Sequence, residues 1–99
     1  MAKEQIDKIY ENKIKFMEKI NEAIHEDSNS IENVKLDVFE HPVYGTLEYL
    51  VITFKGGAIS VRNCRGNSNL ANLEQFTQMC FGGYYSEVRR YEELKEGKN

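Results

Sequence analysis

Residues 47–64 constrain the fold of this chain most, because they have the pattern of a β-hairpin. Gly56-Gly57 suits the positive φ angles of a two-residue turn, and β-branched and aromatic residues flank it on both sides. The predicted pairs on one face are Phe54 with Ile59 and Ile52 with Val61. Those on the other are Thr53 with Ser60 and Val51 with Arg62. Apolar pairs on one side and mixed pairs on the other predict a sheet with one covered face.

The segment before the hairpin predicts a helix and a strand. Apolar residues recur at helical spacing over residues 3–26, namely Ile6, Ile9, Tyr10, Met17, Ile20 and Ile24. Residues 33–39 then alternate between apolar and polar side chains, which is typical of a half-buried strand. The stretch around Pro42 predicts a turn, because proline lacks the backbone N–H and disfavours helical angles in the residue before it.

Two helices are predicted after the hairpin. Asn67, Ser68 or Asn69 can cap the first, whose apolar stripe is Leu70, Leu73, Phe76, Cys80 and Phe81. Gly82-Gly83 ends it, and a last helix covers residues 85–96. The prediction is one α+β domain over residues 1–99, ordered α-β-β-β-α-α. In it the N-terminal helix and one or two C-terminal helices cover one face of a three-stranded antiparallel sheet.

Length and composition are those of an ordinary globular domain. The chain has 99 residues, 40% hydrophobic and 29% charged. Its apolar runs are shorter than the roughly 18 residues of a membrane span, and Met1 is not followed by a signal-peptide core. We therefore expect a cytoplasmic protein with no membrane partner, in which Cys64 and Cys80 are reduced.

Charge is unevenly distributed, although the net charge is only −3. One basic residue, Lys35, accompanies five acids over residues 27–48, which are Asp27, Glu32, Asp37, Glu40 and Glu48. This run predicts a solvated edge or, alternatively, a negative surface that docks into a basic groove.

Basic and polar residues after the hairpin turn form a candidate anion site. Two arginines and exposed backbone N–H groups near a helix N-terminus suit a phosphate, and the candidate residues are Lys55, Arg62, Arg65, Asn67 and Ser68. The alternative is a strand-to-helix turn with an ordinary cap. The spacing matches neither a P-loop nor a dinucleotide fingerprint.

The C-terminal segment is a candidate partner-binding surface. Tyrosine and arginine are enriched at interface hot spots, and the candidates here are Tyr84, Tyr85, Glu87, Arg89, Arg90, Tyr91, Glu92 and Glu93. Two alternatives remain: core packing of the aromatic residues, and stacking on nucleic-acid bases, which the acidic residues disfavour.

Catalytic and metal-binding patterns are not found in the sequence. Cys64, Cys80, His25 and His41 have no CxxC or HxxH spacing, and no histidine adjoins a cysteine in the chain. We therefore predict a protein that is not an enzyme and that has no cofactor and no metal.

The second half of the chain resembles the small proteins encoded by phages and mobile elements of Gram-positive bacteria. In layout it is similar to a type II anti-CRISPR inhibitor of αβββα fold. The likeness runs from residues 47–54 through Gly56-Gly57 and residues 59–61 to Phe76, Gly82-Gly83 and the acidic, aromatic residues 84–87. Such inhibitors occupy the nuclease groove that reads the DNA flanking motif, so the resemblance implies Glu87, Glu92 and Glu93 as mimics of DNA phosphates or bases. Arg89 and Arg90 interrupt this acidic segment.

The sequence therefore predicts a non-enzymatic inhibitor that binds a host protein, such as a CRISPR effector nuclease. The alternative is a nucleic-acid or small-anion module using Lys55, Arg62 and Arg65. A monomer or a homodimer is expected, because the uncovered sheet face carries Phe39, Tyr49 and Val51 and is apolar enough to seek cover.

Overall fold

The computed structural model of the chain describes residues 3–27, 30–81 and 86–99. The elements follow the order α1 (Lys3–Asp27), β1 (Ile31–His41), β2 (Gly45–Phe54), β3 (Ile59–Asn63), α2 (Asn69–Phe81) and α3 (Val88–Lys95). The predicted α-β-β-β-α-α order is therefore confirmed. No helix in these ranges is both long enough and apolar enough to cross a membrane.

The three strands form one antiparallel sheet in the order β1-β2-β3. Leu36 lies opposite Leu50, and Asp37 lies opposite Tyr49. Six consecutive residues of β2, from Leu47 to Ile52, are buried. This pattern shows that both faces of the sheet are covered, since neighbouring residues of a strand point to opposite faces.

Helices α1 and α2 cover the first face. The buried cluster there consists of Met17, Ile31, Val34, Leu36, Leu50, Ile52, Cys64, Phe76 and Met79. Ile20 and Ile24 of α1 pack against its margin, as their helical spacing predicts, and Ile14 packs there as well. Ile9 was expected on the same stripe but is 51% exposed.

Helix α3 covers the second face, so the prediction of a single covered face is wrong. Leu94 is buried in a cluster with Leu47, Tyr49, Val51 and Val61, and Phe39, Val88 and Tyr91 pack around it. These include the apolar residues that were expected to seek cover from a second copy of the chain. The chain's own last helix provides that cover.

The hairpin register differs by one residue from the prediction. Val51 pairs with Val61 and Ile52 with Ser60, because the loop contains three residues, Lys55 to Gly57. Phe54 donates its N–H to the Ala58 carbonyl, and Gly56 and Gly57 both have positive φ, 103° and 98°. A slip of one residue reverses the faces of a strand, and Val61 consequently packs beneath α3.

The buried side of α2 also differs from the predicted stripe. Asn72, Phe76 and Met79 are buried, whereas Leu70, Leu73 and Cys80 are exposed. Positions 72, 76 and 79 lie on one helix face, with a polar residue among them. Ser68 is the capping residue, since its Oγ accepts the N–H of Ala71 at 3.1 Å.

Candidate functional site

Tyr91, one of the predicted partner residues, is part of the packing between α3 and the sheet. Its ring centroid lies 5.4 Å from that of Tyr49 and 6.0 Å from that of Phe39. Its hydroxyl donates to a carboxylate oxygen of Asp37, which Lys95 also contacts at 3.0 Å. Burial and this hydrogen bond raise the pKa of Tyr91. The tyrosine therefore holds α3 in place.

The other residues of the C-terminal segment have mixed positions. Glu87 precedes α3 and contacts Arg62 at 3.6 Å. The Arg90 guanidinium lies 5.8 Å from the centre of the Tyr44 ring. Glu93 is partly buried, whereas Arg89 and Glu92 are exposed on α3. Tyr84 and Tyr85 lie outside the described residues.

The predicted anion-site residues do not form one cluster. Lys55 lies in the β2–β3 loop and Arg65 follows the far end of β3, so the strand separates them. Ser68 caps α2, and Asn67 donates its N–H to the Cys64 carbonyl at 3.0 Å. Instead, Arg65 and Arg90 line a cavity of about 270 Å³ together with Tyr44 and Asn63.

The acidic run is only partly the solvated edge that was predicted, since Glu32 and Glu40 are exposed but Glu48 is buried. Glu48 is only 2% exposed, and its carboxylate contacts Lys13 Nζ at 2.9 Å and accepts the Gly66 N–H at 2.9 Å. Asp37 is also largely covered. Burial alone would raise the pKa of Asp37. The hydrogen bonds from Tyr91 and Lys95 lower it by a larger amount, so the pKa of this carboxyl lies below its usual value.

Cys64 and His41 are buried parts of the fold, whereas Cys80 is exposed on α2 and His25 is exposed on α1. Burial and the nearby Glu48 carboxylate raise the pKa of the Cys64 thiol to about 12, so it is a poor nucleophile at neutral pH. His41 is buried, and its Nε2 donates to the Lys98 carbonyl at 2.7 Å. Its Nδ1 accepts two backbone N–H groups of the following turn. Over the described ranges, no three His, Cys, Asp or Glu residues are grouped to hold a metal ion.

The outer edge of β3 is closed by residues that precede α3. Glu87 donates its N–H to the Val61 carbonyl at 2.8 Å, and the Val61 N–H is directed at Ser86 Oγ at 3.2 Å. The Asn63 N–H contacts the Glu87 carboxylate at 3.3 Å. The outward backbone groups of β3 at these positions are therefore occupied.

The outward groups of β1 can be identified from the hydrogen bonds of β2. The Glu48 carbonyl accepts from Cys64 and the Phe54 N–H donates to Ala58, so even-numbered residues of β2 face β3. Its odd-numbered residues consequently face β1 and meet odd-numbered partners, as in the pair Asp37 and Tyr49. The even-numbered residues of β1 must then direct their N–H and C=O groups away from the sheet.

Helix α1 covers only the first part of this β1 edge. Asn21 Oδ1 accepts the Val34 N–H at 2.9 Å, and His25 Nε2 donates to the Glu32 carbonyl. For the outward backbone groups of Leu36, Val38 and Glu40, the described part of the chain provides no hydrogen-bond partner. We call residues 36–40 the open edge.

A groove lies beside the open edge, between β1 and α1. Its volume is about 500 Å³, and its lining residues are Tyr10, Glu11, Ile14, Lys15, Glu18, Val38, Phe39, Glu40 and Thr46. The aromatic and aliphatic residues among these form an apolar floor, and Glu11, Glu18 and Glu40 form an acidic rim. The sequence did not predict this edge groove, because its existence depends on β1 being at the edge of the sheet.

Searches against protein-family models, curated proteins and solved structures found no match to this chain.

Proposed function

We propose that this chain is a small protein-binding module without catalytic activity. The observation that supports the proposal best is the edge groove, where an apolar floor adjoins backbone groups for which the described residues provide no hydrogen-bond partner. Apolar surface and unpaired strand edges are the two features through which folded domains most readily take up a partner.

Two of the reactive side chains, Cys64 and His41, are unsuited to catalysis, which supports the proposal that the chain has no catalytic role. The Cys64 thiol has a raised pKa, and both ring nitrogens of His41 are occupied by backbone groups. Neither residue lines the edge groove. General acid–base or nucleophilic catalysis would require such groups to be accessible and mutually oriented.

The proposed partner is a host protein, because the chain resembles phage-encoded inhibitors of CRISPR effector nucleases. In this proposal the chain binds the nuclease and blocks its access to DNA. An acidic groove is compatible with a basic nuclease surface, since complementary charge accelerates and orients association.

Photocrosslinking from the groove tests the binding proposal. A benzophenone amino acid at Tyr10, in the groove, is compared with the same residue at Leu70, which is 65% exposed on α2. We expect the Tyr10 variant to crosslink a defined protein in a host lysate, and that purified protein to form a 1:1 complex with the unmodified chain. Equal crosslinking from both positions, or none, would contradict the proposal.

A DNA-cleavage assay tests the choice of partner separately. A type II CRISPR nuclease loaded with its guide RNA should lose cleavage when the chain is in excess. Undiminished cleavage, together with a 1:1 complex with some other protein, would reject the nuclease as the partner and retain the binding module.

Anion or nucleic-acid binding is the second candidate function, and the cavity between Arg65 and Arg90 favours it. Guanidinium groups bind phosphates bidentately, and Tyr44 beside them could stack on a base. The test is fluorescence anisotropy of a labelled single-stranded oligonucleotide at increasing salt. Binding that falls steeply with salt and disappears in Arg65→Gln/Arg90→Gln would support this function, whereas no binding at low salt would dismiss it.

A further inference from the structure

We propose that the partner contributes an extended strand bearing lysine or arginine, which hydrogen-bonds to the open edge and inserts alternate side chains into the edge groove. This inference rests on the proposed function as a protein-binding module. It specifies the conformation and the charge of the segment that is bound.

The hydrogen-bonding capacity of the open edge favours a strand. Leu36, Val38 and Glu40 each present one N–H and one C=O outward, spaced two residues apart as in a strand ladder. A β-strand rises about 3.3 Å per residue, so the open edge spans roughly 13 Å between the first and last of these residues. An added strand of about five residues would satisfy all six groups.

The limits of the open edge fix the length of this strand. Toward the N-terminus, α1 occupies backbone groups of Glu32 and Val34, and the register shifts between Ile31 and Asn33. Toward the C-terminus, β1 ends at His41 and Pro42 follows. Bulges, prolines and covering elements are the usual protection of strand edges. Here Glu40 is exposed and Val38 is partly exposed, whereas Leu36 is 5% exposed, so the C-terminal part of the open edge is the more accessible part.

The groove suits the side chains that an added strand would present. Every second residue of that strand would point toward α1, where Tyr10, Ile14 and Val38 form the floor. Because the groove holds about 500 Å³, it can take apolar side chains from one face of a short strand.

Charge favours a basic segment over a second copy of this chain. Among the described lining residues, the groove contains three carboxylates and one ammonium group, and that group, Lys15 Nζ, lies 2.8 Å from Glu11. Glu18 and Glu40 are both exposed on the rim. Pairing β1 with β1 of a second copy would bring two such acidic grooves together, whereas lysine or arginine on the incoming strand would neutralise them.

Peptide probes test the inference without an identified partner. The probe is an acetylated, amidated peptide of eight residues in which every second residue is threonine and the residues between are alternately lysine and valine, so that lysine and valine side chains point to the same side, toward the groove. One control replaces lysine with glutamate, and the other keeps lysine but carries N-methyl groups on alternate amides. We expect the probe to bind at least about tenfold more tightly than either control, because only the probe has both the charge and the strand donors.

Amide hydrogen exchange locates the binding site. In the free protein the amides of Leu36, Val38 and Glu40 should exchange faster than those of Asp37 and Phe39, which face β2. The probe should slow exchange at the three outward amides by about tenfold or more. Protection elsewhere only, or equal binding of the N-methylated control, would overturn the inference.

Val38→Pro tests the edge itself. The Val38 N–H points away from β2, so proline removes an outward donor and leaves the β1–β2 hydrogen bonds in place. Val38→Ala is the matched control. Glu40→Pro is a second variant at an equivalent outward position, and its control is Glu40→Ala, because both remove the same rim carboxylate. Each proline variant should bind the probe about tenfold or more weakly than its alanine control.

Three results separate this inference from the proposed function. A natural partner that crosslinks from Tyr10 and loses affinity for both proline variants supports both proposals. A partner that crosslinks from Tyr10 but binds the folded proline variants as well as wild type overturns the strand inference alone. If the wild-type chain is a dimer and Val38→Pro converts it to a monomer, a second copy of the chain binds the open edge. That result would also overturn the inference of a basic partner strand.

Discussion

The buried carboxylate of Glu48 illustrates how single residues in this fold depend on particular neighbours. Removing a carboxylate from water is costly unless charge and hydrogen bonds replace the lost hydration. Lys13 provides the charge from α1, and the Gly66 N–H provides a hydrogen bond from the loop after β3. The carboxylate therefore connects the helix to the β3–α2 loop.

Replacing Lys13 alone should be strongly destabilising. Lys13→Met leaves Glu48 buried without its cation, and we expect a loss of about 3 kcal/mol in the free energy of unfolding in urea. Lys13→Met combined with Glu48→Leu should regain most of this loss. Lys15→Met, at the exposed pair with Glu11, is the matched control and should hardly change the unfolding midpoint. Equal effects at Lys13 and Lys15 would contradict the interpretation.

Unlike Glu48, Asn72 is a buried polar residue whose side-chain amide has no hydrogen-bond partner in the described part of the chain. Asn72→Ala should therefore leave the free energy of unfolding unchanged or raise it by up to about 1 kcal/mol. Asn12→Ala, exposed on α1, controls for helix propensity. If Asn72→Ala lowers the free energy of unfolding relative to Asn12→Ala, the Asn72 amide forms hydrogen bonds in the folded protein and the interpretation is wrong.

At the scale of the elements, α3 is held against the sheet partly by polar contacts. It has only eight residues, and Leu94 is its one buried residue. Tyr91 and Lys95 both bind Asp37 of β1, and the Lys95 ammonium also lies 4.8 Å from the centre of the Phe39 ring. These contacts compensate for the small apolar area that so short a helix can bury.

The pH dependence of stability should report this contact between α3 and β1. The pKa of Asp37 is lower in the folded than in the unfolded chain, because the hydrogen bonds from Tyr91 and Lys95 outweigh the effect of burial. Its stabilising contribution is then complete above the unfolded pKa of about 4 and is lost as the pH falls through the lower folded value.

Tyr91→Phe should accordingly cost about 1–2 kcal/mol at pH 7 and less at about pH 2, as measured by urea unfolding at both values. In an Asp37→Asn background the substitution should show little dependence on pH in this range. A pH-independent loss in the wild-type background would mean that the hydroxyl does not act through the Asp37 carboxylate.

The elements themselves could be predicted, but their arrangement could not. Met17, Ile20 and Ile24 repeat at helical spacing, so α1 is evident from the sequence. Gly56-Gly57 predicts a turn. The sequence does not show whether Lys55 belongs to the loop, because that depends on the twist and packing of the strands. Likewise, the mixed polarity of β1 does not predict that Asp37 and Phe39 lie under α3. A carboxylate is expected on an exposed face, but it can be covered when a tyrosine donates a hydrogen bond to it.

The edge groove could be predicted least, because its residues come from distant parts of the chain. Tyr10 and Val38 meet only because α1 crosses the sheet beside β1. Periodicity places each of them in an element but does not give the strand order, and the strand order decides which backbone groups are left outside.

At the scale of the whole molecule, α3 completes a second apolar layer on the sheet. Without it, Phe39, Tyr49 and Val51 would be exposed together and would favour association between molecules.

Leu94→Asp should expose this layer, because it places a charge in the buried cluster beneath α3. We expect the variant to self-associate in sedimentation velocity at concentrations where wild type does not. Arg89→Asp, at an exposed position of the same helix, should sediment like wild type. A Leu94→Asp protein that sediments and unfolds like wild type would show that α3 is dispensable as a cover.

The two borders of the sheet differ, and this difference limits what can be built from the molecule. Growth of a fibril by strand stacking requires every subunit to bind a neighbouring strand at both edges of its sheet. Ser86 and Glu87 already bind the outward backbone groups of Val61 and Asn63 in β3, whereas the open edge of β1 has no such partner among the residues that the structure describes. A subunit of this kind can end a row of strands but cannot continue it, and we expect its assemblies to be small and closed.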